Sequence, residues 1–204
     1  MNLSVLTVGH SEHSAEEFRA LLMEHKVTAV ADVRSSPYSR FNPQFNREKL
    51  RADLKGSRVA YVFLGEELGA RSKDPSCYVE GKVQYDRLAQ TALFQHGLDR
   101  VGRGAQKHRI ALMCAEKDPL TCHRCILVSR HLVARQIDVQ HILADGRLES
   151  HAEALARLLR ELQLPELFRA RDEMVGEAYR VRGDEIAYVE KETTESEPTR
   201  SVAR

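Results

Sequence analysis

Five short apolar runs punctuate this chain: Ser4–Val8, Thr28–Val33, Arg58–Leu64, Arg109–Cys114 and Asp138–Leu143. Each has the length of a strand and favours β-branched or small residues. Stretches with helical spacing separate them, such as Phe18, Leu21, Leu22 and His25, or Leu88, Ala92, Phe94, Leu98 and Val101. Strands that alternate with helices pair in parallel, because each crossover carries the chain back to the same end of the sheet. A sheet of that kind is covered on both faces. The expected fold is therefore a three-layer, Rossmann-like α/β sandwich with a mostly parallel central sheet of about five strands.

Local signals mark the helices. Ser14 with Glu17, and Ser150 with Glu153, have the spacing of capping boxes. Leu155, Leu158, Leu159 and Leu162 continue the second pattern, and Arg47–Leu54 reads as a short helix. Asp118-Pro119 reads as an N-cap followed by Pro, opening a helix that runs to Arg135. Long loops are expected over Arg34–Asn46 and Gly65–Gln84. Residues 1–170 read as one α/β domain and 171–204 as a C-terminal extension, with Glu185–Val189 as a late edge strand. The four glutamates between Glu190 and Pro198 point to disorder in the last fifteen residues.

Composition narrows the function classes. A chain of 204 residues buries enough surface to fold without a metal or disulfide staple. A net charge of +1 gives no global field for nucleic acid or membrane, so any basic surface must be local. No run reaches the length of a membrane helix, and the start MNLSVLTVGH lacks the build of a signal peptide. Four cysteines are too few for a disulfide scaffold, and three of them fall within twelve residues. A reducing cytoplasm is the expected compartment, with no membrane partner.

In a sheet of this type the ligand site lies beyond the carboxyl ends of the strands. Three such ends carry chemistry-bearing residues. The densest runs from Met113 to Cys125 and holds Cys114, Glu116, Cys122, His123 and Arg124. A helix start beside a cysteine favours the thiolate, and beside arginine it favours an anion. Cys114, Cys122, His10, His123 and Glu116 are the candidate catalytic residues. The competing reading packs the thiols as small buried hydrophobes.

The first strand ends in Gly9-His10-Ser11, where Ser11 either contacts ligand or helps cap the next helix. The second ends in Asp32-Val33-Arg34, and alternation puts Asp32 and Arg34 on one side. A charged Asp in an apolar run needs a partner, and Arg34 or His10 supplies it. Ser11, Asp32, Arg34, Arg40, Arg71 and Arg124 form the candidate substrate-binding set, with Glu66 and Glu67 beside Arg71. Between Arg34 and Arg58, seven basic residues stand against two acidic ones, with Tyr38, Phe41 and Phe45 among them. That mixture suits single-stranded nucleic acid or a nucleotide. The competing reading places Phe41 and Phe45 in the core.

The segments TVGHS (7–11), DVRSSPYSRFNPQFN (32–46), LGEELGAR (64–71) and LMCAEKDPLTCHR (112–124) resemble the domain of unknown function 488 family. The resemblance implies an α/β fold and a shared pocket built from His10, Ser11, Asp32, Arg34, Cys114, Glu116, Cys122, His123 and Arg124. It implies no activity, and Cys125 lies outside the motif. A loose similarity to rhodanese-like domains stops at residue 120, which is Leu where those domains close their loop on Arg.

Three functions fit these residues. The first is an enzyme acting on a nucleotide, nucleic acid or other anionic substrate, as a cysteine-dependent hydrolase or transferase without a cofactor. The second is a nucleic-acid-binding accessory protein, with a link to repair implied by the family resemblance alone. The third is a metal or redox module using Cys114, Cys122, His123 and Cys125, disfavoured because the second pair of zinc ligands is missing.

Overall fold

A computed structural model of the chain describes residues 3–164 and 170–190. In chain order the elements are β1 (Ser4–Gly9), α1 (Ala15–Glu24), β2 (Ala29–Asp32), α2 (Arg47–Gly56), β3 (Ala60–Phe63) and α3 (Gly65–Leu68). A small hairpin follows, β4 (Tyr78–Val79) and β5 (Lys82–Val83), then α4 (Tyr85–Gln90) and α5 (Ala92–Ala105). The chain continues through β6 (Ile110–Cys114), α6 (Arg130–Ala134), β7 (Asp138–Ile142), β8 (Leu148–Ser150), α7 (His151–Leu162) and α8 (Arg171–Ile186).

The central sheet has the order β3-β2-β6-β1-β7-β8. All its pairings are parallel except β7 with β8. The protein is a three-layer α/β sandwich. All five expected strands form within two residues of their sequence limits, and β8 adds an antiparallel edge. Residues alternate along each strand between two cores. Leu6, Val8 and Met113 pack under Phe18, Leu22, Leu50 and Leu54 of α1 and α2. Val5, Leu112 and Val139 pack under Phe94, Leu98, Val101 and Leu132 of α5 and α6.

Both capping boxes are present, at Ser14 with Glu17 and at Ser150 with Glu153. Two expected helices are each divided. Thr91 accepts a hydrogen bond from the Phe94 amide and separates α4 from α5. The stretch from Asp118 to Arg135 is a 3-10 turn (Pro119–Thr121), an extended Cys122, a π-helical turn (Arg124–Ser129) and then α6. The expected edge strand Glu185–Val189 is corrected: Glu185 and Ile186 close α8, and only Val189 bridges the hairpin, opposite Lys82. The pattern in α8 was hidden because it buries Met174, Ala178, Tyr179 and Gly183, two of them too small to register as apolar. α8 packs with Leu120, Ile126 and Leu158 in a third cluster. The expectation of disorder at the chain end falls, after Glu190, outside the described residues. No helix among the described residues is long and apolar enough to cross a membrane.

From β1 the chain crosses over β6 to reach β2, and from β6 it crosses over β1 to reach β7. The two neighbouring strands thus send the chain in opposite directions. The crevice between their carboxyl ends is where such sheets place ligands.

Candidate functional site

Gly9 and Cys114 are paired in register at that switch point. The chain stays joined beyond it, through His10 N–H to Cys114 O and Ser11 N–H to Ala115 O. A Cβ on Gly9 would lie 1.9 Å from Glu116 O, so only glycine lets the loop after β6 settle here. Asp118 caps the 3-10 turn through the Leu120 amide, and Arg157 holds Asp118 at 2.8 and 3.0 Å. This braced loop brings Cys122 back beside Cys114.

The ligating atoms of Cys114, Cys122 and His123 lie within 4.8 Å of one another, close enough to hold a metal ion. His123 Nε2 is 3.0 Å from Val33 O, which accepts only from an N–H, so the proton sits there and Nδ1 faces the sulfurs. That nitrogen is 3.7 Å from Cys114 Sγ and 3.9 Å from Cys122 Sγ. Glu116 Oε2 is 2.9 Å from Cys122 Sγ, within hydrogen-bond distance. The thiols form the floor of a pocket of 250 Å³, walled by Arg34, Arg71, Tyr85, Glu116 and Tyr188. Arg71 stacks its guanidinium 4.5 Å over the Tyr188 ring. A neighbouring cavity of 710 Å³ shares Ser35 and Arg71 and includes Glu66 and Glu67.

The two thiols titrate in opposite directions. Burial opposes ionisation of Cys122, but the Cys114 hydrogen bond, the Arg124 charge and His123 outweigh it and pull its pKa well down. The Arg124 amide also donates to its sulfur at 3.4 Å. Burial pushes Cys114 well up, and the bond to Cys122 pushes it further. Burial also raises Glu116, with the Cys122 charge adding to it. For His123 burial favours the neutral ring, yet the bond to Cys122 and its charge prevail and raise the pKa. The arrangement favours the thiolate at Cys122, the neutral forms of Cys114 and Glu116, and the protonated ring of His123.

Other expected site residues are placed differently. Asp32 holds Arg34 at 2.9 Å (Nε) and 2.7 Å (Nη2), and Tyr61 donates to the same carboxylate at 2.8 Å. Arg34 also donates to Phe45 O at 2.8 Å, yet its side still lines the pocket. His10 lies outside the pocket lining, on the sheet face opposite the thiols. It stacks on Phe45 at 4.4 Å, 3.3 Å from Arg34 Nη1. Burial and, secondarily, Arg34 hold its pKa down at about 4. Ser11 makes the turn with φ 47°, also outside the lining.

Arg124 was expected to face an anion. Instead it is 0% exposed and donates to Glu116 O (2.7 Å) and Lys117 O (3.1 Å), clamping the loop from beneath. Arg40 is exposed and outside the lining. The proposed four-residue metal set is split, because Cys125 points into a different cluster with His141 and His151. Phe45 is in the core as the plainer reading had it, whereas Phe41 is 94% exposed. Sequence reasoning missed Tyr85, Tyr188, His141 and His151. A histidine inside the apolar run Asp138–Leu143 was the one available signal.

The sequence model of the family described as Domain of unknown function DUF488 matches residues 14–131, more than half of the chain. That span runs from the cap of α1 into α6 and contains Cys114, Glu116, Cys122, His123 and Arg124. No curated protein and no solved structure shows significant similarity to the chain.

Proposed function

The chain belongs to the DUF488 family, whose description carries no activity, and on that premise we propose a function from the pocket itself. We infer a cysteine-dependent hydrolase or transferase for a small anionic substrate, with Cys122 as nucleophile. The observation that carries this reading is the Cys122 sulfur, 2.9 Å from the Glu116 carboxyl at the floor of an open pocket. An activated thiol within reach of a proton carrier is the signature of nucleophilic catalysis.

In this reading the Cys122 thiolate attacks an electrophilic centre, and its new bond to that centre replaces the bond to the leaving group. The leaving group takes the proton held by Glu116. Water, or a second acceptor, then attacks the sulfur-bound intermediate and returns a proton to the Glu116 carboxylate. The thiolate leaves unchanged. Cys114 donates a hydrogen bond to it, and Arg34 and Arg71 frame the anionic group. A pocket of 250 Å³ fits the reacting group, and the adjoining 710 Å³ cavity fits the rest of a nucleotide-sized substrate.

Iodoacetamide labelling tests this. Trypsin separates the thiols into peptides 110–117 (Cys114), 118–124 (Cys122) and 125–130 (Cys125). The 118–124 peptide should label fastest at neutral pH, and nucleoside phosphates should slow it. Uniform labelling that ignores these ligands would reject the reading.

A second reading is a nucleic-acid-binding accessory protein. The exposure of Phe41 and Tyr38 among the basic residues of 34–58 favours it, since exposed aromatics can stack bases. It requires affinity for short oligonucleotides that falls steeply with salt and is weakened by Phe41→Ala.

A further inference from the structure

Cys125, His141 and His151 come from the π-helical turn, β7 and the first residue of α7. All three are buried, and their donor atoms lie within 4.8 Å of one another. Each histidine is anchored through its far ring nitrogen. His141 Nδ1 is 2.8 Å from Thr7 Oγ1, and His151 Nε2 is 2.7 Å from Tyr179 Oη. Those hydroxyls fix both rings so that His141 Nε2, His151 Nδ1 and Cys125 Sγ converge.

The spacing is that of ligands around a common centre. The two ring nitrogens are 3.1 Å apart, a hydrogen bond in the metal-free protein that a bound ion would replace, and the sulfur is 3.7 Å from one and 3.8 Å from the other. The sulfur is nearly equidistant from both nitrogens and faces the space between them. Ions with bonds of about 2.0–2.1 Å to nitrogen and about 2.3 Å to sulfur require donor separations of about 3.3–3.8 Å. The sulfur distances already meet that range, and the nitrogens need to part by a few tenths of an ångström.

The surroundings select the ion. Among the described residues no fourth His, Cys, Asp or Glu joins the group. Leu120, Ile126, Ala154 and Leu158 form an apolar wall around it. A trigonal set of two imidazoles and one thiolate is a copper donor set. Buried Arg124 already places a positive charge within reach of Cys125 and His141, and a monovalent ion with one thiolate adds no net charge. We propose that Cys125, His141 and His151 form a buried trigonal site for one thiophilic transition-metal ion, with copper(I) as the fitting occupant. The site is separate from the Cys122 pocket and stands whether or not that pocket is catalytic.

The test uses the full chain, reduced, loaded anaerobically with copper(I), desalted and assayed for copper. One copper per chain should remain on the Cys114→Ser/Cys122→Ser double variant, which removes the pocket cluster that is itself close enough to hold an ion. Cys125→Ser added to that double variant, a nearly isosteric change, should lose the metal. Tyr179→Phe leaves all three donors in place and should weaken binding about 10- to 100-fold in competition with a chromophoric copper(I) chelator, as loss of an orienting partner does. Circular dichroism of each variant separates lost binding from lost folding. Failure of the folded wild type to retain copper would overturn the proposal. So would retention by the triple variant, or loss by the folded double variant. Displacement by equimolar zinc would overturn the choice of ion.

Discussion

The described residues build two Cys/His clusters from almost the same residue types, and the two differ in access and in the groups that face them. Cys114, Cys122 and His123 open onto a pocket and share it with Glu116. Cys125, His141 and His151 are sealed among leucine, isoleucine and alanine, and contact one another and the hydroxyls of Thr7 and Tyr179. In the first cluster the Cys114 hydrogen bond, a buried guanidinium and an imidazole outweigh burial and favour the thiolate form of Cys122. In the second, burial dominates and pushes the Cys125 thiol far up. Ligand identity alone therefore does not decide what a cysteine–histidine group does. The charges and the access that the fold supplies decide it.

The largest expected difference is in reactivity. Because only the thiolate attacks an alkylating agent, Cys122 should label at pH 7 at least about 100-fold faster than Cys125 in the metal-free protein. Comparable rates for peptides 118–124 and 125–130 would erase the contrast. Arg124→Met should come next. It removes both the loop clamp and the charge that favours the thiolate, so stability should fall by about 3 kcal/mol. The urea midpoint reads the first effect, and slower labelling of 118–124 reads the second.

His10 extends the comparison to an imidazole held neutral on the opposite sheet face. Its folded pKa of about 4 lies below the ordinary 6.5, so the unfolded chain takes up a proton first as pH falls. Stability from this group is complete above pH 6.5 and is lost as pH drops toward 4, about 2 kcal/mol of it between pH 7 and 5. His10→Phe, which keeps the stack on Phe45, should flatten that slope in urea titrations at the two pH values. The smallest effect is expected at the sealed cluster. Thr7→Val deletes one hydrogen bond to His141 and should cost about 1 kcal/mol in the same assay, with Cys122 labelling unchanged.

Much of this architecture was legible in the sequence because it is local. Strand limits followed from apolar runs, and both capping boxes followed from a Ser–Glu spacing of three. The reactive cluster was legible because Cys114 to Arg124 is one continuous segment at a strand end. The orientation of its arginines was not. Whether Arg124 faces ligand or clamps backbone depends on the carbonyls of Glu116 and Lys117, which a sequence does not position. The second cluster joins residues 16 and 26 positions apart, with Tyr179 a further 28 beyond His151, and no spacing rule connects them. Tyr188 reaches the pocket only because α8, weakly patterned and rich in small contact residues, folds back across it.

The π-helical turn at Arg124–Ser129 has a chemical consequence. Cys122 and Cys125 stand three residues apart, a spacing that on one uninterrupted α-helix stacks both thiols along a single stripe. There a passing oxidant would couple them as a short-range disulfide. Extended backbone at Cys122, followed by a turn wound one residue wider than usual, aims the two sulfurs into different chambers. That break in the helix acts as insulation: it lets a pocket-lining sulfur and a sealed one live side by side in the chain without short-circuiting.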